Sequence, residues 1–147
     1  MSAAASRAWS LPLEVRDYEC DLQGIVNNAV YLHYLEHARH QVLKQLGLPF
    51  DRLTAAGLHL VVIRSEVDYK LPLRSGDAFA VESRLARVSP VRVAFLQEVV
   101  RTSGGGRAVA VTARVVCAAV DASTGKPIMP PPALHALFDP DPAAVKP

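Results

Sequence analysis

The sequence predicts an α+β domain in which one long helix packs against a single five-stranded antiparallel sheet. Three observations carry that prediction. The stretch from Asn28 to Leu46 repeats its apolar residues with a helical period. The stretches around it are strand-length, alternating or apolar, and are cut by turns rich in Gly, Pro and Ser. A lone amphipathic helix needs an apolar surface, and an antiparallel sheet with one apolar face supplies it.

The elements follow in order. Leu11, Leu13 and Val15 alternate with Pro12, Glu14 and Arg16, which predicts a first strand with Pro12 at its exposed beginning. Gly24 breaks that pattern. In the helix, Val30, Tyr34, Ala38 and Val42 recur at four-residue steps, with Tyr31, Leu35 and Leu46 beside them. Asn27 or Asn28 can cap its start, Gly47 suits the position just past its end, and Pro49 stops it. A shorter helical piece runs from Phe50 to about Ala56. Four strands in meander are then expected at 61–69, 78–88, 91–102 and 107–121, separated by turns at 71–77, at Ser89-Pro90 and at Ser103–Gly106. Residues 1–10 read as a disordered N-terminal tail, 11–138 as the folded domain, and 139–147 as a Pro-rich C-terminal tail.

Composition narrows the function. A chain of 147 residues fits one domain and buries roughly two-thirds of its unfolded surface. Its formal net charge of +2, with Lys and Arg scattered, does not point to nucleic acid or an anionic membrane as partner. No apolar run reaches the ~18 residues of a membrane helix. Met1–Arg7 lacks the hydrophobic core of a secretory signal. Cys20 and Cys117 have no metal-type spacing and read as free thiols in a reducing compartment.

The chemistry-bearing stretch is Asp21-Leu22-Gln23-Gly24-Ile25-Val26-Asn27-Asn28. It puts a carboxylate in a tight Gly-containing turn just ahead of a helix start. A helix start offers unpaired N–H groups and partial positive charge, so the place suits chemistry on a carbonyl compound. The plainer reading is that Asp21 caps the helix. Asp17 is a competing carboxylate, placed to close the first strand. His33, Glu36, His37 and His40 share a helix but do not form HExxH, and no third ligand is evident. Neither metal nor cofactor is expected.

Topology and the Asp21 stretch together resemble the hotdog-fold acyl thioesterases of the 4-hydroxybenzoyl-CoA thioesterase class. Asp21-x-x-Gly24-Ile25-Val26-Asn27-Asn28 followed by Tyr31, Tyr34 and Arg39 matches that class, as does the turn Leu73-Arg74-Ser75-Gly76-Asp77. The Val-Asn-Asn-Ala-Val-Tyr version is similar to plant and bacterial acyl-ACP or acyl-CoA thioesterases. Where many bacterial acyl-CoA members carry Tyr-His, this chain has Asn27-Asn28, which weakens a scheme with a His base.

The resemblance implies hydrolysis of an acyl-CoA or acyl-ACP thioester, with Asp21 as general base on water or as nucleophile. Asn28 would hold water or the thioester oxygen, or else cap the helix, and Asn27 carries the same ambiguity. Gly24 would permit a positive φ or close substrate approach. Arg39 would donate to substrate or pair with a carboxylate; otherwise it is a solvated helix residue. Tyr31 and Tyr34 would form core or tunnel wall. Backbone amides around His59 and Leu60, from a second subunit, would polarise the carbonyl. Arg64, Arg74, Arg84 and Arg92 are candidate phosphate contacts, and Val30, Tyr34, Leu60 and Val62 an acyl slot. Glu36 is the fallback carboxylate.

The class also implies a homodimer with its site between subunits, and commonly a tetramer of two dimers. Cytoplasm is the expected compartment, or a plastid in a photosynthetic source. Two alternatives remain: a hotdog enoyl hydratase or dehydratase, which would want a His in the turn, and an acyl-CoA-binding protein without catalysis.

Overall fold

The computed structural model describes residues 8–130, Pro132 and Asp139–Pro140. Strand β1 (Ala8–Glu14) leads through a 3-10 turn (Asp17–Glu19) and a tight loop into helix α1 (Asn28–Gln45) and the short α2 (Phe50–Ala55). Strands β2 (Leu58–Tyr69), β3 (Ala78–Ser89), β4 (Arg92–Arg101) and β5 (Ala108–Asp121) follow, and the two-residue β6 (Asp139–Pro140) closes the series. The five main strands form one antiparallel sheet in the order β1-β3-β4-β5-β2.

The expected meander holds for β3, β4 and β5 but not for β2. Residues 70–77 carry the chain away from β2, which pairs with β5 at the far edge, while β3 receives β1 on its outer side. An inner strand has two sides to pair, and β1 already fills one side of β3. β1 also starts earlier than its alternation suggests. Ala8, Trp9 and Ser10, expected in the tail, are strand residues, because Trp9 is buried in the core and draws its neighbours in. Asp139–Pro140, also expected in a tail, pair in parallel with Ala86 and Arg87. The rest of both expected tails lies outside the described residues.

The helix sits on one face of the sheet. Tyr31, Tyr34, Leu35, Ala38, Val42 and Leu43 form its buried stripe, meeting the inward residues Phe79, Val81, Leu85, Val93, Phe95 and Val99. Tyr34 and Phe79 make ring contact at 4.7 Å. Asn27 is the N-cap, its side chain accepting from the Ala29 amide at 2.9 Å. At the other end Gly47 takes φ +76°, a left-handed conformation that suits glycine. No helix among the described residues is long and apolar enough to cross a membrane.

Candidate active site

Asp21 sits in a loop tied down at both ends. The Asp21 amide donates to Ile25 O at 2.8 Å, and the Gly24 amide donates back to Asp21 O at 3.0 Å. Gly24 takes φ +78° there with open space around its Cα, so its requirement is conformational. Cys20 bridges to Val26, and Ile25 bridges to Arg74 in the turn that follows β2. The Val26 amide donates to Leu73 O at 2.9 Å. The sequence thus folds here into a narrow return that delivers the chain to the helix.

The Asp21 carboxylate does not cap the helix. Its Oδ1 accepts from the Gln23 amide at 2.9 Å and lies 3.5 Å from the Ile25 amide. The Gln23 side chain, with its NH2 turned inward, reaches Oδ1 and Oδ2 at 3.0 and 3.1 Å. Asn27 does the capping. Asn28 is the first helical residue, and among the described residues its amide N–H meets no acceptor, as helix geometry requires of first-turn donors. The Asn28 carbonyl accepts from the Tyr69 hydroxyl at 3.2 Å.

A cleft of about 520 Å³ opens over these groups. Asp21, Ile25, Val26, Asn27, Asn28 and Tyr31 line one side; Tyr69, Lys70, Leu71 and Pro72 line the other. A carboxylate, a side-chain amide and a helix start therefore converge on one mostly apolar hollow, the arrangement expected where a carbonyl is polarised and attacked.

Four expected residues lie elsewhere in the chain. Arg39 is about 16 Å farther along α1 than Asn28, at ~1.5 Å rise per residue. Its Nη1 donates to Gln97 Oε1 at 3.2 Å. Burial lowers its pKa, against raising effects from Cys117 and Glu36. Arg39 and Leu60 line a separate cavity of about 70 Å³ with Glu36, His40, Leu43, Phe50, Val62, Phe95 and Cys117. His59 is exposed on β2, opposite Val120. Arg64 is exposed and lies 3.5 Å from Glu66. The expected acyl slot is likewise divided. Val30 and Tyr34 line a third groove beside β1, whereas Leu60 and Val62 border the Arg39 cavity.

The remaining groups are placed as follows. Asp17 accepts from the Ser75 hydroxyl and so joins the 3-10 turn to the turn at 73–77. The helix histidines diverge: His33 and His37 face the groove beside β1, while His40 stacks edge-on against Phe50 at 4.4 Å. Sequence reasoning passed over Tyr69–Pro72, Glu19 and Gln97. Gln97 did carry a signal, a polar residue at an inward position of the alternation Val93, Phe95, Gln97, Val99. Tyr69–Pro72 carried none, because their place depends on β2 crossing to the far edge.

The model of the thioesterase-like superfamily matches residues 15–138. The chain belongs to that superfamily. It is 42% identical over 83 residues to the chloroplastic acyl-acyl carrier protein thioesterase ATL3 of Arabidopsis thaliana, covering 56% of this chain and 44% of that protein. It is 30% identical over 114 residues to the long-chain acyl-CoA thioesterase FadM of Escherichia coli, covering 78% and 84%. The crystal structure of a probable thioesterase from Bartonella henselae superposes with a TM-score of 0.76 at 25% identity, covering 85% of this chain and all of that one. The chain spans about half the length of the first curated relatives it matches, 44% and 46% for the two Arabidopsis proteins. The five-stranded antiparallel sheet wrapped on one long helix is the hotdog fold expected from the sequence.

Proposed function

We propose that this chain hydrolyses acyl thioesters of CoA or acyl carrier protein, with Asp21 as the reacting carboxylate. The observation that carries this reading is the cleft holding Asp21, the Asn28 side chain and the first helical amide together. Asp21 takes a proton from water as the oxygen attacks the thioester carbon, or attacks that carbon itself to give a mixed anhydride that water then cleaves, restoring the carboxylate. The C–S bond breaks, the thiol leaves with a proton, and a free acid remains. The Asn28 amide N–H and side chain are the donors at hand for the developing oxyanion.

A second copy of the chain completes the site in this reading. β2 is a 12-residue edge strand, and Val61, Val62 and Ile63 are 45%, 45% and 47% exposed. Such an edge is a hazard unless it is covered. Antiparallel pairing of two β2 strands about a two-fold axis brings the Tyr69 end of one to the Leu58 end of the other. That sets the Asp21 cleft of one copy against His59, Leu60 and the Arg39 cavity of the second, joining residues that one chain keeps apart. Arg64, exposed on the same strand, remains a candidate phosphate contact. A tetramer would be two such dimers. Two free cysteines fit a reducing compartment, cytoplasm or plastid.

The test is thiol release from a panel of acyl-CoA and acyl-ACP thioesters, comparing wild type with Asp21→Ala and Asp21→Asn. The panel spans medium, long, β-ketoacyl and aromatic acyl groups. Hydrolysis that falls at least a hundredfold in both variants supports the reading. Unchanged activity in the variants removes Asp21 and moves the role to Glu36. Binding of acyl-CoA with no thiol release from any substrate favours a sensor. Ile63→Lys, which puts a charge on the edge, is expected to give a monomer by sedimentation, with activity lost.

A further inference from the structure

Glu19 ends the 3-10 turn two residues before Asp21, and it is a carboxylate only 6% exposed. Its Oε1 accepts from the Tyr34 hydroxyl at 2.7 Å and from the Arg16 amide at 2.8 Å. Its Oε2 accepts from Arg16 Nη2 at 2.9 Å. Its main-chain carbonyl accepts from the Asn27 amide at 3.0 Å. One residue thus grips three things: the chain entering the Asp21 loop, the chain leaving it, and the second turn of the helix. Packing alone does not call for a buried carboxylate, since an apolar residue fills a core at lower desolvation cost.

We propose that Glu19 is a positioning residue, whose grip on Tyr34 and Arg16 sets where the Asp21 carboxylate meets the thioester. This rests on the reading of Asp21 as the reacting group. Glu19 points away from the cleft and touches no reacting atom; it acts through the loop. Misplacement of a reacting group by about 1 Å can cost ~100-fold in rate. The Tyr34 bond is a side-chain tie from this loop to the body of the helix; its other ties are the Cys20–Val26 and Asp21–Ile25 pairs, the Asn27 amide on Glu19 O, and the turn at 73–77.

Two variants separate the grip from the charge: one breaks the bond to Tyr34, the other keeps it and removes the charge. Tyr34→Phe deletes one hydroxyl and keeps the ring. Glu19→Gln keeps an oxygen for Tyr34 and the Arg16 amide. Both are measured with the best thioester of the panel, beside Asp21→Asn. Tyr34→Phe is expected to lower kcat at least tenfold with KM within threefold, and Glu19→Gln to stay within fivefold of wild type. Hydrogen exchange at Gln23 and Ile25 should quicken at least tenfold in Tyr34→Phe, a readout that needs no turnover. A smaller fall in kcat, a loss carried in KM, slow exchange at those amides, or a Glu19→Gln variant as impaired as Tyr34→Phe overturns the proposal. If Asp21→Asn loses a hundredfold while Tyr34→Phe stays active, only the positioning role falls. If Asp21→Asn stays active, the reading of Asp21 falls and this role with it.

Discussion

The hydroxyl of Tyr31, on the first turn of α1, accepts a hydrogen bond of 3.0 Å from the backbone amide of Leu73. Both residues are buried, Leu73 completely. This contact fastens the turn after β2 to the helix on the floor of the cleft. Tyr31→Phe removes the acceptor and keeps the ring, so a buried N–H is left without a partner. The expected loss is about 1–3 kcal/mol in urea unfolding. An unchanged midpoint would show that the amide finds another acceptor.

Gln97 holds a second interior knot. Its Nε2 donates to Leu35 O at 3.1 Å and to Ser83 Oγ at 3.0 Å, while its Oε1 accepts from Arg39. Gln97→Leu keeps the volume but strips Arg39 of that bond. It should destabilise by roughly 1–3 kcal/mol. Adding Ser83→Ala should then cost less than it does alone, because the two residues belong to one network. Strict additivity in a double-mutant cycle would refute the coupling.

Cys117 lies in the core at 3% exposure. Burial pushes its thiol up to about 11, against a smaller opposing effect from Arg39. In the native protein a thiol reagent should modify Cys20 alone, with Cys117 reacting only after denaturation. The same shift gives a sign for alkaline stability. The unfolded thiol loses its proton near 9.0 while the folded one keeps it to about 11, so stability falls as pH rises through that window. Melting temperature in Cys117→Val should decline less over the same range.

Glu19 sets the opposite limb. Burial alone would raise its carboxyl, but the bonds from the Arg16 amide, the Tyr34 hydroxyl and the Arg16 guanidinium outweigh it, and the net shift is downward from 4.5. Its contribution is therefore present above the usual glutamate range and is lost as pH falls through its lowered folded value. Urea midpoints should drop less steeply in acid for Glu19→Gln than for wild type. Parallel acid limbs would show that other carboxylates carry the effect.

Much of this architecture was legible because local signals agreed with one another. The four-residue step of Val30, Tyr34, Ala38 and Val42, the cap at Asn27 and the stop at Gly47 all marked the same helix. The Asp21 turn was legible for a similar reason, since Gly24 needs a positive φ and Asp21 closes its own loop. What could not be read was long-range. Nothing in residues 58–69 says which strand they pair with, and the cleft wall at Tyr69–Pro72 follows from that choice. Arg39 and Arg64 were grouped with Asp21 by resemblance, yet this chain holds them apart from it, as it does His59 and Leu60, which were expected from a second copy.

The crossing of β2 to the far edge also bears on how the chain is made. β3, β4 and β5 are linked by short turns and can zip as hairpins, whereas β2 must find β5 with Leu58 opposite Asp121. Closing the longer loop costs more chain entropy, so that pairing comes late. On a ribosome, β2 emerges well before its partner strand. During that wait Val61, Val62 and Ile63 have no strand on either side, and the outer rim of β5 is bare once formed. Two nascent chains side by side could exchange β2 before either has closed, and the protein's yield would then depend on how crowded its synthesis is.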